Sequence, residues 1–195
     1  IPLERLKKGT YIIKPACSDA SEGIGEDSVV KIPSQQAAQK VKKIHREFHQ
    51  AAIVEQFIPS RELNVSIIET CGKVRILPLA EIDFSAFPKE KPRIVDYQAK
   101  WVKGSFAYEH TPRIIPAPLE EPLAKKIRTL ALQAWRALDC RGYARVDFRL
   151  DEKNRPFLLE INPNPDISPD AGFAAALAAA PIPYERFVWM MLPHY

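Results

Sequence analysis

With 195 residues, 46% apolar and 27% charged, the chain can bury a real core and is not a disordered tail. Its net charge of +4 is mild and its Lys and Arg are dispersed, which suits an anionic ligand such as a nucleotide and excludes a dedicated nucleic-acid surface. No apolar run reaches the roughly 20 residues that cross a membrane, and no signal-peptide pattern is visible. Cys17, Cys71 and Cys140 are too widely spaced for a zinc site or a disulfide framework, so the expected setting is the reducing cytoplasm.

The chain opens at Ile1-Pro2-Leu3-Glu4 without an initiator Met, which reads as a piece of a longer or processed protein. Tyr11 to Pro15 is a short apolar strand ending in Lys14-Pro15, and Ala16 to Asp27 is a loop of small and acidic residues. Val29 to Ile32 is the next strand. Ser34 is an N-cap, after which Ala38, Val41, His45 and Phe48 recur at helical spacing. Ile53 to Ile58 is a strand stopped by Pro59. Glu62 to Glu69 alternates, with Leu63, Val65 and Ile67 on one face, and the Cys71-Gly72-Lys73 turn leads into one return strand, Val74 to Ile82.

Residues 83–118 are Pro-rich and irregular. Leu119 to Leu138 is a helix with Leu123, Ile127, Leu130, Ala134 and Leu138 along one stripe. Tyr143–Leu150 and Arg155–Ile161 form a hairpin around Asp151-Glu152-Lys153-Asn154, and two short helices end the chain. The expected class is α+β, in two lobes: a small one over 1–61 and a larger one over 62–195.

The chemistry concentrates on the last hairpin. Because strand side chains alternate, Ala144, Val146 and Phe148 face a core, while Arg145 and Asp147 share the other face. In the partner strand Glu160 and Asn162 face together, so Asp147, Glu160 and Asn162 can converge as hard oxygen donors of the kind Mg²⁺ accepts, with Mn²⁺ as a substitute. Arg145, beside them, can stabilise charge on a transferred phosphoryl group or an oxyanion. Alone, this hairpin reads more readily as a surface hairpin with cross-strand charge pairs. The rigid polar turn Asn162-Pro163-Asn164-Pro165 weighs toward the metal site.

Lys14, at a strand end, can aim its charge at phosphates, and the Ser21 loop offers backbone N–H groups with Gly23 and Gly25 permitting close approach. A plain Gly-containing surface turn accounts for that loop equally well. The break at Pro59 frees backbone at Gln56 to Ile58 for an adenine edge and leaves Glu62 one turn away for ribose hydroxyls, although a solvated strand end gives the same pattern. Lys100 is a second phosphate lysine or an ordinary surface one. His45, His49, His110 and His194 have no metal-ligand spacing.

In order, Ile13-Lys14-Pro15, Asp19 to Ile24, Val54 to Ile58 with Arg61-Glu62, Asp96 to Lys100, Cys140 to Phe148 and Leu159 to Pro165 resemble the ATP-grasp superfamily, and within it the D-alanine–D-alanine ligases. The resemblance spans nearly the whole chain. It implies two α+β subdomains gripping ATP, with the family's N-terminal substrate domain not included. It also implies Lys14 and Lys100 on the ATP phosphates, the Ser21 loop over the γ-phosphate, and Glu55 with backbone at Gln56 and Ile58 on adenine. Glu62 would hold ribose, Asp147, Glu160 and Asn162 would hold two Mg²⁺, and Arg145, Lys100 and Ser21 would form the catalytic set. The implied reaction joins a carboxylate to an amine through an acyl phosphate on small amino-acid or carboxylate substrates, and a homodimer is one form open to the full-length protein.

Departures from the family pattern point to a substrate other than D-alanine. Asp166 stands where the family has Gly, Ala171-Gly172 lies where it has Ser-Leu, Trp101 replaces a common Tyr, and the Gly-Ser-Ser run of the phosphate loop is missing. Another ATP-grasp ligase or carboxylase, or a nucleotide-binding module without turnover, are the rival readings.

Overall fold

The computed structural model describes residues 2–192. The chain divides into two compact units that a single cut would not separate: Ile1–Pro59 with Phe84–Pro112, and Ser60–Asp83 with Arg113–Tyr195. The division expected at residue 61 falls next to Pro59, but 84–112, grouped by sequence with the second lobe, packs within the first unit.

The first unit is built on an antiparallel sheet of β1 (Gly9–Pro15), β2 (Val29–Ile32) and β3 (Ala52–Gln56), in the order β2-β1-β3. Helix α1 (Gln35–Phe48) starts where the Ser34 hydroxyl accepts the Ala37 N–H at 3.1 Å and ends at His49 in the left-handed region, φ 53°. Ile13, Val30, Ile32, Ala37 and Ile44 form the core, with Val41 and Phe48 packed against it. The buried face of α1 is therefore Ala37, Lys40 and Ile44, rotated from the expected stripe; His45 is exposed. The Pro-rich stretch contributes two short helices, α2 (Tyr97–Trp101) and α3 (Phe106–Glu109). Asp96 caps the first and Ser105 the second, accepting the N–H groups of Ala99 and Tyr108.

The second unit is a six-stranded antiparallel sheet. It comprises β4 (Glu62–Thr70), β5 (Lys73–Ile76), β6 (Ala80–Ile82), β7 (Arg113–Ile114), β8 (Tyr143–Leu150) and β9 (Pro156–Asn162), ordered β7-β6-β4-β8-β9 with β5 also on β4. The single strand expected over 74–82 is two strands. Pro78, which cannot donate to a ladder, lies in the break, and Leu77 N–H instead reaches Ser66 O at 2.9 Å.

Leu63 opposes Phe148, Val65 opposes Val146 and Ile67 opposes Ala144, so one sheet face is wholly apolar. It is covered by α4 (Glu121–Ala137) through Ala124, Ile127, Ala131 and Trp135. This stripe is also rotated from expectation: Ile127 is buried, whereas Leu138 is 61% exposed. On the other face, α5 (Gly172–Ala179) and α6 (Tyr184–Met191) cover Ile68 and Leu77 with Phe173, Leu177 and Phe187.

Phe148 is fully buried at the centre of the α4-facing core. Phe148→Ala is expected to cost about 3–5 kcal/mol, read as a lower urea midpoint in equilibrium unfolding.

Candidate functional site

In the second unit, the face opposite α4 carries the polar residues. Directly paired residues of an antiparallel ladder lie on the same face. The register sets Glu62 against Arg149, Asn64 against Asp147 and Ser66 against Arg145, and then Asp147 against Glu160 and Arg145 against Asn162. Three strands thus bring Glu62, Asn64, Arg145, Asp147, Arg149, Glu160 and Asn162 onto one face. The β8–β9 ladder slips by a bulge between Asp147 and Phe148, the kind of irregularity that re-aims a side chain.

Asp147 is 5% exposed and well supplied with donors. The Asn64 Nδ2 donates to its Oδ1 at 2.8 Å, and Arg145 donates from Nε and Nη2 at 2.8 Å each. Burial works against the Arg145 charge, but the attraction of Asp147, its hydrogen bonds, and the more distant Glu160 and Glu62 outweigh it and hold the guanidinium's proton above its usual range. Arg149 donates to Glu62 at 2.7 Å. The Asn162 Oδ1 accepts the Asn164 N–H at 2.9 Å, and the Tyr143 hydroxyl donates to the Asn164 Oδ1 at 3.1 Å, so the polar turn fixes the amide of Asn162. Glu160 is exposed across the ladder from Asp147.

As a donor set, two carboxylates and a fixed amide oxygen on adjacent strands fit a hard divalent cation such as Mg²⁺. Among the described residues, no three His, Cys, Asp or Glu side chains gather as a metal site, so any such site depends on the amide of Asn162. His194 lies outside the described residues; the other three histidines join no such cluster.

Beyond Asn162, the Oδ1 of Asp166 accepts the Ser168 N–H at 2.8 Å. Hydrogen bonds from Ser168, then the fields of Arg145 and Arg113, hold its carboxyl below the ordinary range. Gly172 opens α5 directly under Arg113: a Cβ there would stand 2.5 Å from the Arg113 Nε.

In the first unit, Lys14 pairs with Glu55 at 2.6 Å across β1 and β3. Gln56 ends β3 opposite Tyr11, and the Phe57 N–H still bonds Thr10 O at 3.0 Å, so the chain leaves the sheet between Phe57 and Pro59. The loop after Pro15 touches the α2 segment three times. The Ser21 hydroxyl donates to Val95 O at 2.8 Å, the Trp101 Nε1 to Ala20 O at 2.9 Å, and the Tyr97 N–H to Ile24 O at 3.2 Å. Lys100 follows on α2, half-buried. At the other end of the loop, Asp27 accepts from Lys40 at 2.6 Å and from Lys43 at 3.1 Å. Burial raises its pKa, but these two lysines overcome that and leave it below its ordinary value.

The expected residues therefore fall into two sets. Lys14, Ser21, Glu55, Gln56, Ile58 and Lys100 lie on the first unit, and Glu62, Arg145, Asp147, Glu160 and Asn162 on the second. Sequence reading missed Asn64, Arg149 and Lys40. Alternation of β4 placed Asn64 opposite Leu63 and Val65, but only its pairing with β8 shows that it meets Asp147.

The fold is the ATP-grasp fold of D-alanine–D-alanine ligases. A solved D-alanyl-alanine synthetase A from Vibrio cholerae superposes with a TM-score of 0.72 at 23% identity over 94% of this chain and 51% of its own. The Bacillus anthracis D-alanine–D-alanine ligase solved with ATP superposes at 0.67 and 19% identity, over 93% and 50%. The chain belongs to the family described as D-ala D-ala ligase C-terminus, whose model matches residues 8–193. The D-alanine–D-alanine ligase of Thermotoga maritima is 32% identical over 181 residues, 93% of this chain and 54% of that protein. The chain spans about half the length of the curated relatives it matches. Among the described residues no helix is long and apolar enough to cross a membrane.

Because its folded pKa is depressed, Asp27 adds stability that is fully present above the ordinary Asp range and is lost as pH falls through the lower, folded value. Asp27→Asn is therefore expected to flatten the acid side of the stability–pH curve and leave its neutral part nearly parallel to wild type, measured by urea unfolding across a pH series.

Proposed function

We propose that the protein carrying this chain is an ATP-dependent, ADP-forming carboxylate–amine ligase, and that this chain supplies its nucleotide and metal-binding residues. The carrying observation is the three-strand register that puts Asp147, Glu160 and Asn162 on one face with Arg145 paired to Asp147. Membership of the ligase family and the relative solved with ATP support the same reading.

Lys14 and Lys100 would hold the phosphates as point charges, and the Ser21 loop would offer N–H groups and a hydroxyl to the γ-phosphate. Glu55 would accept from the adenine amino group, and the backbone at Gln56 and Ile58 would meet the base where the chain leaves the sheet. Glu62 would take the ribose hydroxyls. Asp147, Glu160 and Asn162 would hold Mg²⁺ (or Mn²⁺), which when bound neutralises phosphate charge so that an anionic carboxylate can approach. That carboxylate's oxygen attacks the γ-phosphorus and ADP leaves. The amine nitrogen then attacks the acyl carbon, phosphate leaves and the amine loses a proton. Arg145, held charged, stabilises the negative charge that develops.

The substrates are small amino-acid-like molecules. Asp166, an anionic side chain under the influence of Arg145 and Arg113, favours a substrate other than D-alanine, because the family's Gly adds neither charge nor bulk there. The free Cys17, Cys71 and Cys140 support a cytoplasmic location.

ADP formation screened over amino acids and other carboxylates is expected to be substrate-dependent. Asp147→Asn and Glu160→Gln should each lower it by about 100-fold or more while the variants remain folded by circular dichroism. Undiminished turnover in both variants would remove these residues from the chemistry. D-alanyl-D-alanine formation at an ordinary ligase rate would overturn the substrate assignment.

A further inference from the structure

Lysine is rarely buried, because its ammonium must find partners away from water. Lys40 is 5% exposed, on the core face of α1 between Ala37 and Ile44. Its Nζ donates to Asp27 Oδ1 at 2.6 Å and to Gly23 O at 3.1 Å. Both partners belong to the loop between β1 and β2, one inside it and one at its end. Nearby contacts make that part of the loop stiff. Gly23, at φ +73°, is wedged so closely that a Cβ would stand 2.5 Å from Pro15 Cγ and 2.9 Å from Phe48 Cζ. The Ser28 hydroxyl accepts the Gly25 N–H at 3.0 Å. The other part, Ala20 and Ser21, has left-handed backbone, φ 49° and 63°; the Ser21 O accepts the Ile24 N–H at 3.0 Å, and the pair reaches the segment around Val95 and Trp101.

We infer that Lys40 is a positioning residue for phosphate recognition: its buried ammonium sets the backbone of the Gly23–Asp27 arm, and through it the presentation of Ser21 and the loop N–H groups to the terminal phosphate of the nucleotide. Lys40 touches no nucleotide; it acts through the loop. This inference rests on the proposed role of the Ser21 loop. It distinguishes Lys40 from Lys43, which reaches the other oxygen of Asp27, Oδ2, at 3.1 Å, from a half-exposed position. A purely structural ion pair behaves differently. Removing one partner of a buried ion pair is destabilising whatever the pair does, so a loss of stability alone does not report a positioning role.

The test is calorimetric titration of the protein with ATP and with ADP in magnesium, on wild type, Lys40→Met, Asp27→Asn and Lys43→Met, with melting temperatures as the check on folding. Losing a hydrogen bond from a charged group is worth about tenfold in affinity here. Lys40→Met is expected to weaken ATP binding about 10-fold and ADP binding less than about 2-fold, Asp27→Asn to shift the same ratio in the same direction, and Lys43→Met to leave it unchanged. A wild-type ATP-to-ADP ratio in Lys40→Met, or equal losses for both nucleotides, overturns the inference. If Lys40→Met does not fold, the Asp27→Asn ratio decides by the same criterion. Wild type that binds neither nucleotide sinks the functional reading itself, a result separate from an unchanged ratio.

Discussion

The pairing of β4 with β8 is the constraint on which the second unit depends. Strand side chains alternate with a period of two, so one register decides the fate of every residue on both strands. With Leu63 on Phe148, Val65 on Val146 and Ile67 on Ala144, these apolar side chains go under α4. The residues between them, Glu62, Asn64, Ser66, Arg145, Asp147 and Arg149, must then share the opposite face. A slip of one residue would bury this charge against Trp135 and Ile127. The apolar core therefore enforces the polar site, and stabilising the one specifies the other.

That polar face is arranged to carry charge. Asp147 and Arg149 are each buried and each matched by an opposite charge, Arg145 and Glu62 respectively, which offsets part of the cost of taking them out of water. Burial works against the Arg145 charge, but the field and hydrogen bonds of Asp147 outweigh it. Glu160 and the fixed amide of Asn162 add oxygen donors at the exposed edge of the same ladder. A buried, paired, pre-oriented charge array suits the stabilisation of charge that moves during a reaction, since little reorganisation is then required.

The legible parts were those encoded locally. The β8–β9 hairpin follows from two alternating strands around Asp151 to Asn154, and the Ser34 cap was readable because capping involves neighbours three residues apart. Non-local pairing was not legible. Asn64 and Asp147 are separated by 83 residues, and nothing in the spacing of either strand names its partner. Helix faces were displaced for a related reason. Lys40 on α1 disguised a core position as a surface one, and Ala124 and Ala131 on α4 gave a weaker apolar signal than the more exposed Leu123 and Leu130. Likewise, the assignment of 84–112 to the first unit depends on contacts such as Ser21 with Val95 and Lys91 with Glu26 that no local pattern announces. Asp166 was visible as a departure from the family, but the arginine fields around it were not.

The central claim is that Asp147, Glu160 and Asn162 form a divalent-metal site that serves a nucleotide. The most direct measurement is a crystal structure with a non-hydrolysable ATP analogue and Mn²⁺, located by anomalous scattering. An Mn²⁺ peak is expected about 2.1–2.3 Å from carboxylate oxygens of Asp147 and Glu160 and from the Asn162 amide oxygen, with phosphate oxygens completing the shell. An Mn²⁺ peak seated on the nucleotide phosphates or elsewhere, with Asp147 still held bidentately by Arg145 and Glu160 in solvent, would contradict it.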